Sequence, residues 1–253
     1  MKGDDIQTYY DQIAADFASR ESYRYHRFVN DVSERFIRRN LSPGQVLDAG
    51  CGCGHMGERL ASTRFRMFGL DLSLSMLRNR TSQYTMPAAA GSIGLLPFAD
   101  NAFDGLICLR VLPHVPERRT ALEEFARVVR PGGHVIIDYY NIYSLRALIS
   151  KIRGRRCSKS TQPLFTQFDS YRSILADIPD SLIPVEQSGI RIITPVGRLM
   201  DCPALGDLLI LLESTLTKTA LHRVGGFMML HLVRKSEPER DPNLNLNRNP
   251  DQN

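Results

Sequence analysis

The stretch "VLDAGCGCGHMG" at residues 46–57 constrains this chain more than any other, because glycines crowded directly after an apolar run specify a strand that turns sharply under a closely approaching partner. Two parsings compete. From Gly52 the spacing is G-x-G-x-x-G, through Gly54 and Gly57, as in a dinucleotide-binding turn. From Gly50 it is D-x-G-x-G-x-G, with Asp48 at the strand end. A dinucleotide fold keeps its first acid for a ribose at the end of the second strand, and an acid two residues before the first glycine would repel a pyrophosphate. Asp48 instead suits a cationic or amino-bearing ligand. Asp71, which ends "FGLD", is placed to accept the two hydroxyls of a ribose. An amine-bearing nucleoside satisfies both acids.

Around this turn, apolar runs recur at 45–50, 65–71, 103–110 and 133–140, each apolar on consecutive residues as expected of strands covered on both faces. Amphipathic stretches lie between them: "HMGERLAS", "SLSMLRNR" with Ser73 as its cap, and a helix from near Pro116 that Pro131, Gly132 and Gly133 stop. The alternation predicts an α/β layer fold. Two helices precede the first strand, within 4–22 and 24–41, and would pack outside the sheet or over its ligand edge. After Tyr140 the pattern predicts a basic amphipathic helix over 143–156, a helix over 169–178, a strand over 185–196, an apolar helix over 205–217 and a last strand over 226–235. The tail from 236 to 253 is poor in apolar residues and is expected to be disordered.

Several function classes lose ground on composition. No run approaches the ~18 apolar residues of a membrane span, and the N-terminus has no apolar leader region, so a cytoplasmic setting is expected. The five cysteines are scattered without a C-x-x-C pair, and no metal site is expected. The net charge of +5 concentrates in "KIRGRRCSK" at 151–159, too local to make a nucleic-acid partner the expectation. A peripheral membrane contact of that basic helix stays open, as does the oligomeric state.

The ordered motifs resemble the class I S-adenosylmethionine-dependent methyltransferases, in the small-molecule branch that includes ubiquinone- and biotin-pathway enzymes. Asp48, Gly50, Gly52 and Gly54 match the first motif, and "GLDLSLSML" the second. "LPF-x-D-x-x-F-D" stands at 96–104, "RVLPHV" at 110–115 resembles the loop after the fourth strand, and "EEFARVVRPGG" the turn into the fifth. The resemblance covers residues 46–140. It implies a Rossmann-like, seven-stranded, mostly parallel sheet with helices on both faces, the last strand antiparallel, and an N-terminal helical cap. A single domain over 1–235 is expected, with N-terminal helices to 43, a cofactor core over 44–140 and acceptor-side segments after it.

What the resemblance implies for the site is S-adenosylmethionine held by Asp48, Gly50, Cys51, Gly52, Gly54, Asp71, Leu72 and Met76, with Ser92, Ile93, Arg110 and Tyr10 beside them. Ser92 stands where the family usually has an aspartate on the adenine amino group, which implies a weaker or shifted adenine contact. Other readings stay open: Asp71 as a helix cap, Tyr9 and Tyr10 as packing aromatics, Arg20 as a surface residue rather than a ligand for the methionine carboxylate. His114 is the candidate general base, with a structural loop histidine as the alternative. The expected reaction is in-line methyl transfer to a small acceptor with an apolar body, seated between the N-terminal helices and the segments at 143–156 and 202–216. The alternatives are an RNA or protein methyltransferase, a non-catalytic partner subunit of the same fold and, most distantly, an NAD-dependent oxidoreductase.

Overall fold

The computed structural model describes residues 3–80, 86–152 and 165–236. Its centre is a seven-stranded sheet of order β3-β2-β1-β4-β5-β7-β6. The strands are β1 (Gly44–Ala49), β2 (Phe65–Asp71), β3 (Ala88–Ala90), β4 (Phe103–Cys108), β5 (Val129–Tyr140), β6 (Leu182–Ile190) and β7 (Phe227–Arg234). Neighbours from β3 to β5 pair parallel, and β7 runs antiparallel to both β5 and β6. The implied topology is therefore the observed one, with β1 and β4 adjacent at the point where the strand order reverses. In an open parallel sheet this switch point leaves a crevice at the carboxyl ends of the strands.

Helices fill both faces. They are α1 (Gly3–Ala18), α2 (Arg24–Asn40), α3 (His55–Leu60), α4 (Leu74–Arg78), α5 (Arg118–Val128), α6 (Leu145–Ile152), α7 (Tyr171–Asp177) and α8 (Leu205–Leu216). One core packs α5 and Ile174 of α7 against Leu47, Leu106, Val135 and Leu230; the other packs Phe28, Phe36 and Ile37 of α2 against Val46, Phe65, Ile107 and Ile136. Alternate residues of the same central strands thus enter opposite layers, which is why those strands read as unbroken apolar runs. Ser73 caps α4 as expected, its hydroxyl accepting the Met76 N–H at 3.0 Å.

Four expectations need correction. The edge strand β3 consists of three alanines, which carry no strand signal, and sequence patterning misses it. The strand expected over 185–196 ends at Ile190, because Arg191 takes a left-handed φ of 64° and the next three backbone N–H groups turn to the Glu213 carboxylate. The fifth helix ends at Val128 rather than at Pro131, since Pro131, Gly132 and Gly133 lie within β5. Finally, α6 and α8 bury their apolar residues only in part: Leu148 and Ile152, and Leu208, Leu211 and Leu212, are exposed, while Leu209 and Ile210 pack against the core. No helix among the described residues is long and apolar enough to cross a membrane. The basic run from Arg153 to Lys159 and the tail from residue 237 lie outside the described residues.

Candidate active site

The glycine turn is shaped by its neighbours. Gly50 adopts φ +83°, and a Cβ there would stand 2.3 Å from the Val111 Cγ2; Gly52 adopts φ +56°, a conformation that side chains rarely accept. The turn is tied to the second strand, because Asp71 accepts the Gly52 N–H at 2.7 Å through Oδ2 and the Ser73 N–H at 2.8 Å through Oδ1. Asp71 therefore braces both the turn and the start of α4, while Ser73 is the N-cap. Gly54, at φ +84°, opens α3 and does not line the cavity, which sets it apart from the other motif glycines.

Asp48 ends β1 below this turn and is 4% exposed. Its Oδ2 is buried without a hydrogen-bond partner. Burial, reinforced by the nearby Asp71, pushes the Asp48 carboxyl up to about 7. An orphaned buried acceptor of this kind costs stability until a donor reaches it, and an amino-bearing ligand would supply one. Beside it Arg110 holds a left-handed φ of 61°, a strained conformation for a non-glycine residue. Its backbone N–H donates to the buried Asp138 at 2.6 Å and its guanidinium to Asn30 at 2.9 Å, which together fix the loop after β4.

The opposite wall is α1. Tyr10, Ile13 and Phe17 pack on Ala14, Cys53 and Met76, and Asp11 accepts both the Ser73 hydroxyl and, at 3.3 Å, the Ser75 N–H. The N-terminal helix is thereby docked on α4 and roofs the glycine turn. Arg20 reaches the same cavity wall although it also pairs with Asp16 at 3.4 Å. Ser92 lies at the rim with its hydroxyl accepting the Gly94 N–H at 3.2 Å, and Ile93 forms the wall behind it.

At the far end stands His114. Its Nδ1 donates to the Phe165 carbonyl at 2.9 Å, which leaves Nε2 as the acceptor, 3.3 Å from the Tyr140 hydroxyl. Burial holds the imidazole below its ordinary pKa and so keeps it neutral. The segment that carries Phe165 is itself anchored: the Gln167 N–H donates to Pro113 at 2.8 Å, and the Asp169 N–H to Tyr140 at 2.7 Å. Arg118, buried at the start of α5, grips both Asp169 oxygens. This fork joins residues 51 positions apart in sequence, and no local pattern announces it.

One cavity of about 1010 Å³ connects these parts. Asp48, Gly50, Cys51, Gly52, Asp71, Leu72, Met76, Ser92, Ile93, Arg110, Tyr10 and His114 all line it. Tyr140, Arg146, Arg191 and Phe227 line it too, and sequence reasoning did not single them out as site residues. The expected apolar contribution from α8 is not made: neither Leu209 nor Leu212 lines the cavity, and α6 contributes Arg146 alone. The carboxylates, the glycine cradle and the orphaned Asp48 oxygen fit an amine-bearing nucleoside better than a dinucleotide pyrophosphate.

Residues 47–137 match the family model described as a methyltransferase domain. Over that stretch the chain is similar to the methyltransferase domains that use S-adenosylmethionine. The chain spans about half the length of the curated relatives it matches. It is 37% identical over 120 residues to the O-methyltransferase resE of Aspergillus sclerotiorum, covering 44% of each chain. It is 32% identical over 159 residues to a demethylmenaquinone methyltransferase of Paenarthrobacter aurescens, covering 57% of this chain and 60% of the relative. The likeness of fold extends further than these matches. A solved structure from Thermotoga maritima, described as a possible histamine N-methyltransferase, superposes with a TM-score of 0.65 at 15% identity over 89% of this chain and 98% of that one. At that identity the likeness is one of fold.

Proposed function

We propose that this protein transfers a methyl group from S-adenosylmethionine to a hydroxyl of a small acceptor with an apolar body. The observation that carries this reading is the single cavity of about 1010 Å³ with the glycine turn and Asp71 at one end and the His114–Tyr140 pair at the other. Ligand sites typically enclose roughly 300–1,000 Å³, so a nucleoside cofactor and a second small molecule are both accommodated. The named O-methyltransferase relatives support the choice of acceptor atom.

Asp48 and Asp71 would hold the amino and ribose ends of the cofactor, with Leu72, Met76 and Ile93 around its base. When bound, S-adenosylmethionine supplies an electrophilic methyl carbon on a cationic sulfur. The chain's own contribution is then positioning, exclusion of water and one proton transfer. Tyr10 and Phe17 of the docked α1 roof the site, which keeps water from the acceptor. The neutral His114 Nε2 receives the hydroxyl proton in place of the Tyr140 hydroxyl that it faces, and the Nδ1–H bond to Phe165 fixes the tautomer in which Nε2 is the acceptor.

Isothermal titration tests the cofactor reading: S-adenosylmethionine and S-adenosylhomocysteine should bind and NAD should not. Tight NAD binding would overturn it. Transfer of labelled methyl from S-adenosylmethionine to a panel of phenols and alcohols, with matched amines as controls, tests the acceptor.

A further inference from the structure

Arg146 differs from the other cavity-lining arginines. Arg20 pairs with Asp16, Arg110 donates to Asn30, and Arg191 donates to the Thr194 and Pro195 carbonyls and to the Tyr25 hydroxyl. Among the described residues Arg146 forms none of the ion pairs seen, and its Nη1 is buried with no hydrogen-bond partner. It is held by rings instead: its Cζ lies 3.8 Å from the Tyr140 centroid, 4.6 Å from that of Phe227 and 5.7 Å from that of Phe168. Stacking of this kind orients a planar guanidinium, and although part of it lies within hydrogen-bonding reach of the Tyr140 hydroxyl, Nη1 keeps its N–H donors unused. A buried, unspent N–H donor group on a fixed cation is a receptor for a planar or tetrahedral oxyanion.

The place of that receptor matters. The Tyr140 ring that carries Arg146 on its face offers its hydroxyl to His114 Nε2 at 3.3 Å. The cation and the candidate base are therefore separated by one side chain, within one cavity. We propose that Arg146 anchors an anionic group, a carboxylate or phosphate, on the acceptor and so places the acceptor's hydroxyl at His114. This rests on the methyltransferase reading and names the acceptor class within it: a small apolar hydroxy acid or hydroxyaryl phosphate.

The test uses the full chain saturated with S-adenosylhomocysteine, and 4-hydroxybenzoate, hydroxyphenyl phosphate and uncharged 4-hydroxybenzamide as probes, with binding followed by calorimetry or ligand-observed NMR. At least one anion should bind roughly tenfold or more tighter than the amide, the scale of a charge-assisted fork. Arg146→Gln should erase that preference and Arg146→Lys should restore part of it, both with S-adenosylhomocysteine affinity unchanged. Equal binding of anions and amide by the unaltered protein overturns the anchor, and so does a preference that survives in Arg146→Gln. Because the unaltered protein is itself one arm, misfolding of a variant does not decide the matter. Loss of S-adenosylhomocysteine affinity in both folded variants would assign Arg146 to the cofactor's own carboxylate and overturn the acceptor anchor. Failure of the unaltered protein to bind S-adenosylhomocysteine would instead strike the methyltransferase reading.

Discussion

Asp71 accepts the backbone N–H of Gly52 across the gap between β2 and the turn after β1, at 2.7 Å. The same carboxylate that would take the ribose hydroxyls thus also shapes the turn that cradles the ligand. Asp71→Ala should weaken S-adenosylhomocysteine binding by about 1–3 kcal/mol, the scale of lost charge-assisted hydrogen bonds, and should lower the melting temperature of the unliganded protein as well. Calorimetry and thermal denaturation read the two effects separately. An unchanged affinity with a lowered melting temperature would reduce Asp71 to a brace.

Cofactor affinity should depend on pH through Asp48. Its carboxyl is raised by burial to about 7 in the unliganded protein, so below that pH it is mostly neutral. A cationic amino group binds the ionised form, so binding must release a proton there, and affinity should fall as the pH drops below about 7, by up to tenfold per unit. Titrations in buffers of different ionisation enthalpy should report the proton released near pH 6. In Asp48→Asn both the proton release and this slope should vanish.

Turnover should require His114 without much effect on cofactor binding. His114→Ala should lower kcat by roughly 100-fold and leave the S-adenosylhomocysteine affinity nearly intact. Because burial holds the imidazole low, the acid limb of the kcat profile should fall below the ordinary histidine value of about 6.5. A limb at or above that value, or equal turnover in the variant, would make His114 a structural residue of the loop.

Glu213 is fully buried on α8, where its carboxylate accepts the N–H groups of Ile192, Ile193 and Thr194 at 2.7–3.0 Å and the Thr194 hydroxyl at 2.6 Å. Glu213→Ala should strand these donors and destabilise the fold by about 3 kcal/mol or more, seen as a lower denaturant midpoint. Glu213→Gln should cost less. A surface-like change below about 0.5 kcal/mol would contradict the role assigned to this carboxylate.

The sequence by itself determined the layered fold, the position of the glycine turn and the two acids beside it. Those features are local: strand burial writes itself as consecutive apolar residues, and a turn at positive φ writes itself as Gly50 and Gly52. The ends of elements were less legible, because the loop after Ile190 is set by a carboxylate 19 to 21 residues away and the edge strand β3 by pairing alone. Only the tertiary structure decided the far end of the cavity. It set Phe165 on His114, Asp169 in the grip of Arg118 and Arg146 over Tyr140, and it left the exposed leucines of α8 out of the cavity that their apolar character had suggested they line. Those relationships join residues remote in the chain, and their strength comes from burial that no short window of sequence records.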